Sequence, residues 1–222
     1  MSSVSNEKLL KYISTVFKPH PWHGLEARPK DEPALVNAYI EIVPTDRVKY
    51  EIDKESGYLM VDRPQKFSNI IPSLYGFIPR TYSADKLAQY TNEKLGRNDL
   101  EGDGDPLDLC VLTEKPITSG DLLLKAVPIG GFRMLDDGEV DDKIIAVLKD
   151  DPIYSQWNDV SECPQKIIDS LMHYFLTYKE IPGTNKGAKI EITDTYGREE
   201  AERIIELSRQ DYEDKFGDIH IL

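Results

Sequence analysis

From Asn37 onward, apolar and polar positions alternate in short runs. Tyr39-Ile40-Glu41-Ile42-Val43 ends at Pro44, and Arg47-Val48-Lys49-Tyr50-Glu51-Ile52 interleaves polar with apolar residues. That period of two predicts half-buried strands. Lys54-Glu55-Ser56-Gly57 then turns the chain into Tyr58-Leu59-Met60-Val61-Asp62-Arg63. The result is a hairpin on which Lys49, Glu51 and Arg63 share one face. Further strands are predicted at 109–113, 122–128, 132–135, 143–148 and 189–193, with Gly130-Gly131 as a bulge or turn.

Two later segments change to helical spacing. Residues 164–179 align Ile167, Ile168, Leu171, Phe175 and Leu176 in a stripe behind a Ser161 cap, and 199–216 repeat it with Ile204, Ile205, Ser208 and Tyr212. A short helix is predicted around residues 7–16. Residues 84–101 show neither period and read as a long loop insertion. Short strands followed by helices predict an α+β fold, mainly β: an antiparallel barrel with two C-terminal helices packed outside.

Composition narrows the partners. At 222 residues, the chain is expected to form one domain over 1–222, with residues 1–33 an N-terminal extension. Its start lacks the apolar core of a signal peptide, and no apolar run approaches membrane-spanning length. Cys110 and Cys163 lack Cys-x-x-Cys spacing and read as buried thiols in a reducing cytoplasm. A net charge of −13 argues against a nucleic-acid partner, which needs a basic face to displace counterions. A small polyanion is a different case, because metal ions can reverse the sign of a local site.

The chemistry concentrates at Asp103-Gly104-Asp105-Pro106-Leu107-Asp108, which runs straight into the apolar Leu109-Cys110-Val111-Leu112. Carboxylates crowded at the end of a buried strand repel one another unless cations lie between them. Hard divalent ions, Mg2+ above all, fill that role and bring phosphate chemistry with them. A Ca2+-binding loop fits poorly: Leu107 and Asp108 stand where an oxygen ligand and a turn glycine belong. A second acidic run, Asp136 to Asp142, also lies at a strand end. If both runs meet at one mouth, Asp103, Asp105, Asp108, Asp136 and Asp141 can hold two or more Mg2+ ions, and Mn2+ accepts the same oxygens. His20-Pro21-Trp22-His23 reads as an unliganded surface turn, and His173 as a packing residue.

Taken together, these residues resemble the family I soluble inorganic pyrophosphatases over most of residues 37–179. The resemblance rests on Asp103-Gly104-Asp105-Pro106-Leu107-Asp108, Ile40-Glu41-Ile42, Lys49-Tyr50-Glu51-Ile52-Asp53, Val61-Asp62-Arg63 and Pro72-Ser73-Leu74-Tyr75-Gly76. Asp136, Asp141 and Lys143 match its second acidic loop, and Tyr178-Lys179 its helix-end pair. It implies a five-stranded OB-like barrel and Mg2+-dependent hydrolysis of pyrophosphate, keeping cellular pyrophosphate low. It also implies metal ligands at Asp103, Asp108 and Asp141, with Asp136 for a further ion, and Asp105 orienting or deprotonating the attacking water. Lys49, Arg63, Tyr75, Lys143, Tyr178 and Lys179 would hold the phosphates, with Glu41 and Glu51 completing the polar shell. A cytoplasmic homo-oligomer is the implied setting. The chain departs from the pattern at Ile71, where many members carry a second tyrosine, and in the long 84–101 segment.

Overall fold

The structure is a computed structural model that describes residues 13, 15–179 and 189–220, so the helix expected near 7–16 lies mostly outside the described residues. The described strands are β1 (Val36–Ile42), β2 (Val48–Ile52), β3 (Leu59–Pro64), β4 (Leu74–Phe77), β5 (Glu101–Gly102), β6 (Asp108–Leu112), β7 (Leu122–Asp136), β8 (Glu139–Val140), β9 (Lys143–Leu148) and β10 (Ile190–Gly197). Among the described residues, three complete α-helices accompany them: α1 (Asp85–Leu95), α2 (Gln165–Thr177) and α3 (Arg198–Phe216). β2 and β3 pair only with each other, while the other strands form one mixed sheet in the order β1-β4-β6-β9-β7-β8-β5. β10 lies on β7, and β1 returns to pair with the first part of β7.

The expectation of a purely antiparallel sheet is corrected by two pairings. β6 runs parallel to β9, and β5 parallel to β8. Alternation along a strand decides which face a side chain takes; it carries no information on strand direction. The parallel pair is what makes the site possible. Asp108 lies opposite Lys143 in the β6–β9 register, so both acidic runs enter the sheet at the same end. An antiparallel β6–β9 pair would put them at opposite ends.

Period-two alternation gives these central strands two buried faces. Leu109, Val111, Ile144 and Ala146 join Leu87 of α1 and Ile204 and Ile205 of α3 in one core. Cys110, Leu112, Ile145 and Val147 join Ile168, Leu171 and Phe175 of α2 in another. Continuous apolar runs are what a strand covered on both faces requires, and each such side chain contributes roughly 1.5–3 kcal/mol on burial. At Gly76 a Cβ would stand 1.8 Å from the Tyr39 carbonyl oxygen, so glycine alone lets β4 approach β1 and carry Tyr75 to the acidic end.

Three further expectations change. The long loop at 84–101 contains helix α1, which begins with Asp85 and ends at a left-handed Gly96. The stretches 122–128 and 132–135 are one strand, β7, with an irregularity between Pro128 and Gly130 rather than a break. Ser161 does not cap α2. It sits in a short 3-10 turn capped by the Asp159 side chain, and α2 starts after Pro164.

Candidate active site

Backbone geometry builds the acidic loop without help from most of its side chains. Gly104 takes a φ of +74°, the Asp105 amide donates to Asp103 Oδ1 at 3.0 Å, and the Ser83 amide donates to the Asp105 carbonyl at 2.8 Å. The second run is shaped by the β7–β8 turn, where Asp137 and Gly138 adopt φ values of +52° and +93°. The Asp141 amide then donates to the Met134 carbonyl at 3.0 Å. The β2–β3 ladder sets Lys49 opposite Arg63, and the end of α2 delivers Tyr178 and Lys179.

All of these meet in one cleft of about 220 Å³, lined by Lys49, Arg63, Tyr75, Asp103, Asp105, Asp108, Asp136, Asp141, Lys143, Tyr178 and Lys179. Glu41 and Glu51 line a smaller space of about 70 Å³ beside it, which shares Lys49, Tyr75, Asp105 and Asp108. Every residue expected at the site from sequence is therefore brought to one place. Ile71 is buried in the apolar cluster beneath.

Within the cleft, Asp105, Asp108, Asp136 and Asp141 each face an ammonium. Lys143 Nζ donates to Asp108 at 2.5 Å and also to Asp141. Lys179 pairs with Asp136 and Lys54 with Asp105, while Tyr75 donates to Asp108 at 2.5 Å. Lys49 bonds Glu51 at 2.9 Å and lies 3.2 Å from Asp62. Lys143 is buried, and the two carboxylates beside it hold it charged against the cost of burial. Burial, with Asp141 close by, pushes the Asp103 carboxyl well above its ordinary range.

Does this arrangement suit metal ions? The donors are carboxylate oxygens, the set preferred by Mg2+ and Mn2+. Asp136 keeps one oxygen, Oδ1, buried without a hydrogen-bond partner among the described residues. Among the described residues no three His, Cys, Asp or Glu side chains converge on a single point, because the lysines lie between them. The ammonium groups stand in for the positive charge such ions would bring, so the residues fit the group.

Glu41 lies apart from those pairs. Its Oε1 accepts from the Ile52 amide at 2.7 Å, and its carboxyl is pushed up to about 8, chiefly by burial. Between the unfolded value of 4.5 and about 8, the folded chain holds a proton that the unfolded chain has lost. Stability from this group therefore falls as pH rises through that window, by at most about 1.4 kcal/mol per pH unit. Glu41→Gln mimics the protonated form and keeps the Oε1 acceptor. Melting curves in EDTA at pH 5 and pH 8 should show a smaller loss for the variant than for wild type; equal losses would assign the pH dependence to other groups.

Sequence reasoning missed Lys54, Tyr174, Phe175 and Glu139, which lie at the cleft or on its carboxylates. Lys54 reads only as part of a turn, and its odd spacing from Lys49 and Glu51 gives no sign that it reaches the cleft. The His20–His23 stretch is a turn as expected, but a packed one rather than a surface one. Trp22 is buried and stacks on His23 at 4.5 Å, and His23 Nδ1 lies 2.8 Å from the Tyr212 hydroxyl. His173 is exposed rather than packed. Both cysteines are free and buried, and no described helix is long and apolar enough to cross a membrane.

Known proteins resemble this chain in sequence and in fold. A family model described as inorganic pyrophosphatase matches residues 38–213. An inorganic pyrophosphatase of Chlamydia muridarum is 54% identical over 196 residues, covering 87% of this chain and 93% of that protein. A soluble inorganic pyrophosphatase of Zea mays is 36% identical over 206 residues, 92% of this chain and 87% of its own length. The crystal structure of inorganic pyrophosphatase from Thermus thermophilus superimposes with a TM-score of 0.71 at 26% identity, covering 88% of this chain and 99% of that one. The chain belongs to family I of the soluble inorganic pyrophosphatases.

Proposed function

We propose that this chain hydrolyses inorganic pyrophosphate to two phosphates in the cleft between the two acidic runs, with Asp103, Asp108 and Asp141 holding Mg2+ and Asp136 helping to hold a further ion. The observation that carries this reading is the parallel β6–β9 pair, which gathers the acidic runs and Lys143 at one end of the sheet. Mn2+ suits the same oxygens. Bound there, the ions would neutralise charge on both sides of the reacting phosphorus and lower the pKa of an attacking water.

The chain's own residues supply the rest. Pyrophosphate offers only oxygens, so Lys49, Arg63, Lys143 and Lys179 meet it with charge while Tyr75 and Tyr178 donate without adding any. Asp105 orients the water and takes its proton as the water oxygen bonds one phosphorus. The bridging oxygen then leaves with the other phosphate. Glu51 steadies Lys49 through their 2.9 Å contact, and Glu41 completes the polar shell beside it. The cycle of pairings through β1, β4, β6, β9 and β7 supports an OB-like five-stranded barrel at the heart of a single domain. A homo-oligomer in the cytoplasm fits the family.

Phosphate release from pyrophosphate and from ATP, each with Mg2+ and with EDTA, tests the activity. Rapid Mg2+-dependent release from pyrophosphate alone is expected, and a protein inert toward pyrophosphate would refute the reading. Arg63→Lys keeps the charge but loses the planar fork, and should lower kcat/KM roughly tenfold or more. An unchanged kcat/KM would place Arg63 outside the substrate's reach.

A further inference from the structure

Two neighbouring side chains at the phosphate-facing wall have no role in the account above. Tyr174 lines the cleft with Lys49, Arg63 and Tyr178. Gln65 approaches the Tyr174 hydroxyl from the end of β3. Each is the structural companion of a residue already assigned to phosphate. The β2–β3 ladder continues past Pro64, because the Gln65 amide donates to the Arg47 carbonyl at 2.9 Å. Arg63 and Gln65, two residues apart on extended backbone, therefore project from the same face. Tyr174 and Tyr178 stand one turn apart on α2, and their rings stack at 5.3 Å with 22° between planes.

The donors and acceptors here do not balance. Gln65 Nε2 is buried without a hydrogen-bond partner among the described residues, and an amide nitrogen can only donate. Arg63 and Lys49, whose charges also act on the Tyr174 hydroxyl, are donors without acceptor capacity. The other group acting on it, the Cys110 thiol, is at best a weak acceptor. A hydroxyl on the cleft wall that is ringed by donors can accept from one of them, yet these protein neighbours offer its own proton no strong acceptor. An anion in the cleft is the acceptor that this corner lacks.

We propose that Gln65 and Tyr174 form an uncharged extension of the phosphate site, the Tyr174 hydroxyl donating to a terminal phosphate oxygen and the unsatisfied Gln65 Nε2 turning to donate to that hydroxyl. The inference rests on the reading of the cleft as a pyrophosphate site. Neutral donors suit this position, since a further cation beside Lys49 and Arg63 would be repelled in the empty protein. Tyr174 would touch substrate; Gln65 is a positioning residue.

The test is steady-state hydrolysis of pyrophosphate at saturating Mg2+, with inhibition by inorganic phosphate measured alongside. Tyr174→Phe keeps the stacked ring and removes one hydroxyl. It should raise KM roughly tenfold, as expected for losing one hydrogen bond to a charged group, and weaken phosphate inhibition in parallel while kcat stays within about twofold. Gln65→Leu should raise KM less, and should add nothing in the double variant, because its effect runs through Tyr174. Wild-type KM and phosphate inhibition in Tyr174→Phe would overturn the proposal, as would a loss confined to kcat or to the melting temperature. An active wild type with an unaltered Tyr174→Phe would sink this inference alone; an inactive wild type would sink the reading of the cleft with it.

Discussion

Replacing Asp105 with Asn lowers kcat by about 10²–10⁴-fold, the range attributed to a positioned general base. The amide preserves the shape of the side chain but cannot take a proton. The loop should survive the change, because its bonds use the Asp105 backbone rather than its carboxylate: its amide reaches Asp103 and its carbonyl accepts from Ser83. What the substitution does remove is the ion pair with Lys54, which is partly exposed and contributes little to stability. Melting temperature and Mg2+ affinity should therefore stay close to wild type while turnover collapses. A variant that turns over at the wild-type rate would take the proton-accepting role away from Asp105.

The second large effect is on stability. Asp103 is half-buried beside Asp141, Asp105 and Asp108, and desolvation with that crowding disfavours its charged form in the folded chain. Mg2+ bound to the folded site alone, at about 100 times Kd, adds roughly 2.7 kcal/mol per site. For a domain of this size, each kcal/mol moves the melting temperature by about 2–4 °C, so Mg2+ should raise it by roughly 5–10 °C. Asp103→Asn should shrink that rise. Because the amide imposes no charge on its neighbours and retains an oxygen for the Asp105 amide, the variant in EDTA should melt no lower than wild type. Thermal melts of both proteins, in EDTA and in Mg2+, make the comparison. A wild-type melting temperature indifferent to Mg2+, or an equal rise in both proteins, would remove Asp103 from the metal site.

How legible was all this in the sequence? Strand β9 and helix α3 stood out because their apolar spacing is unbroken, and Ile204, Ile205, Ser208 and Tyr212 are all buried as the helical stripe requires. Helix α1 was hidden by its polarity, since only Leu87, Ala88 and Thr91 are buried along it. Its signals were Asp85 in the first turn, Lys94 in the last and Gly96 beyond, all terminal features rather than a stripe. Strand direction was not legible, for the reason given by the β6–β9 pair. The residues of the cleft were legible because each lies in a short motif. Their pairing was not: Lys143 between Asp108 and Asp141, or Lys54 on Asp105, depends on contacts across 35, 2 and 51 positions of sequence. Tyr174 was absorbed into an apolar helix, where a hydroxyl at a core-facing position gives no sign of the cleft it lines.

The central claim is that divalent ions take the place now held by lysine ammonium groups among Asp103, Asp108, Asp136 and Asp141. Anomalous diffraction from crystals soaked in Mn2+ tests it most directly, because it locates the ions independently of activity. The account predicts anomalous peaks within coordination distance of Asp103, Asp108 and Asp141, with Lys143 drawn away from at least one carboxylate. Peaks confined to other surfaces, with the Lys143–Asp108–Asp141 contacts intact at saturating Mn2+, would contradict it.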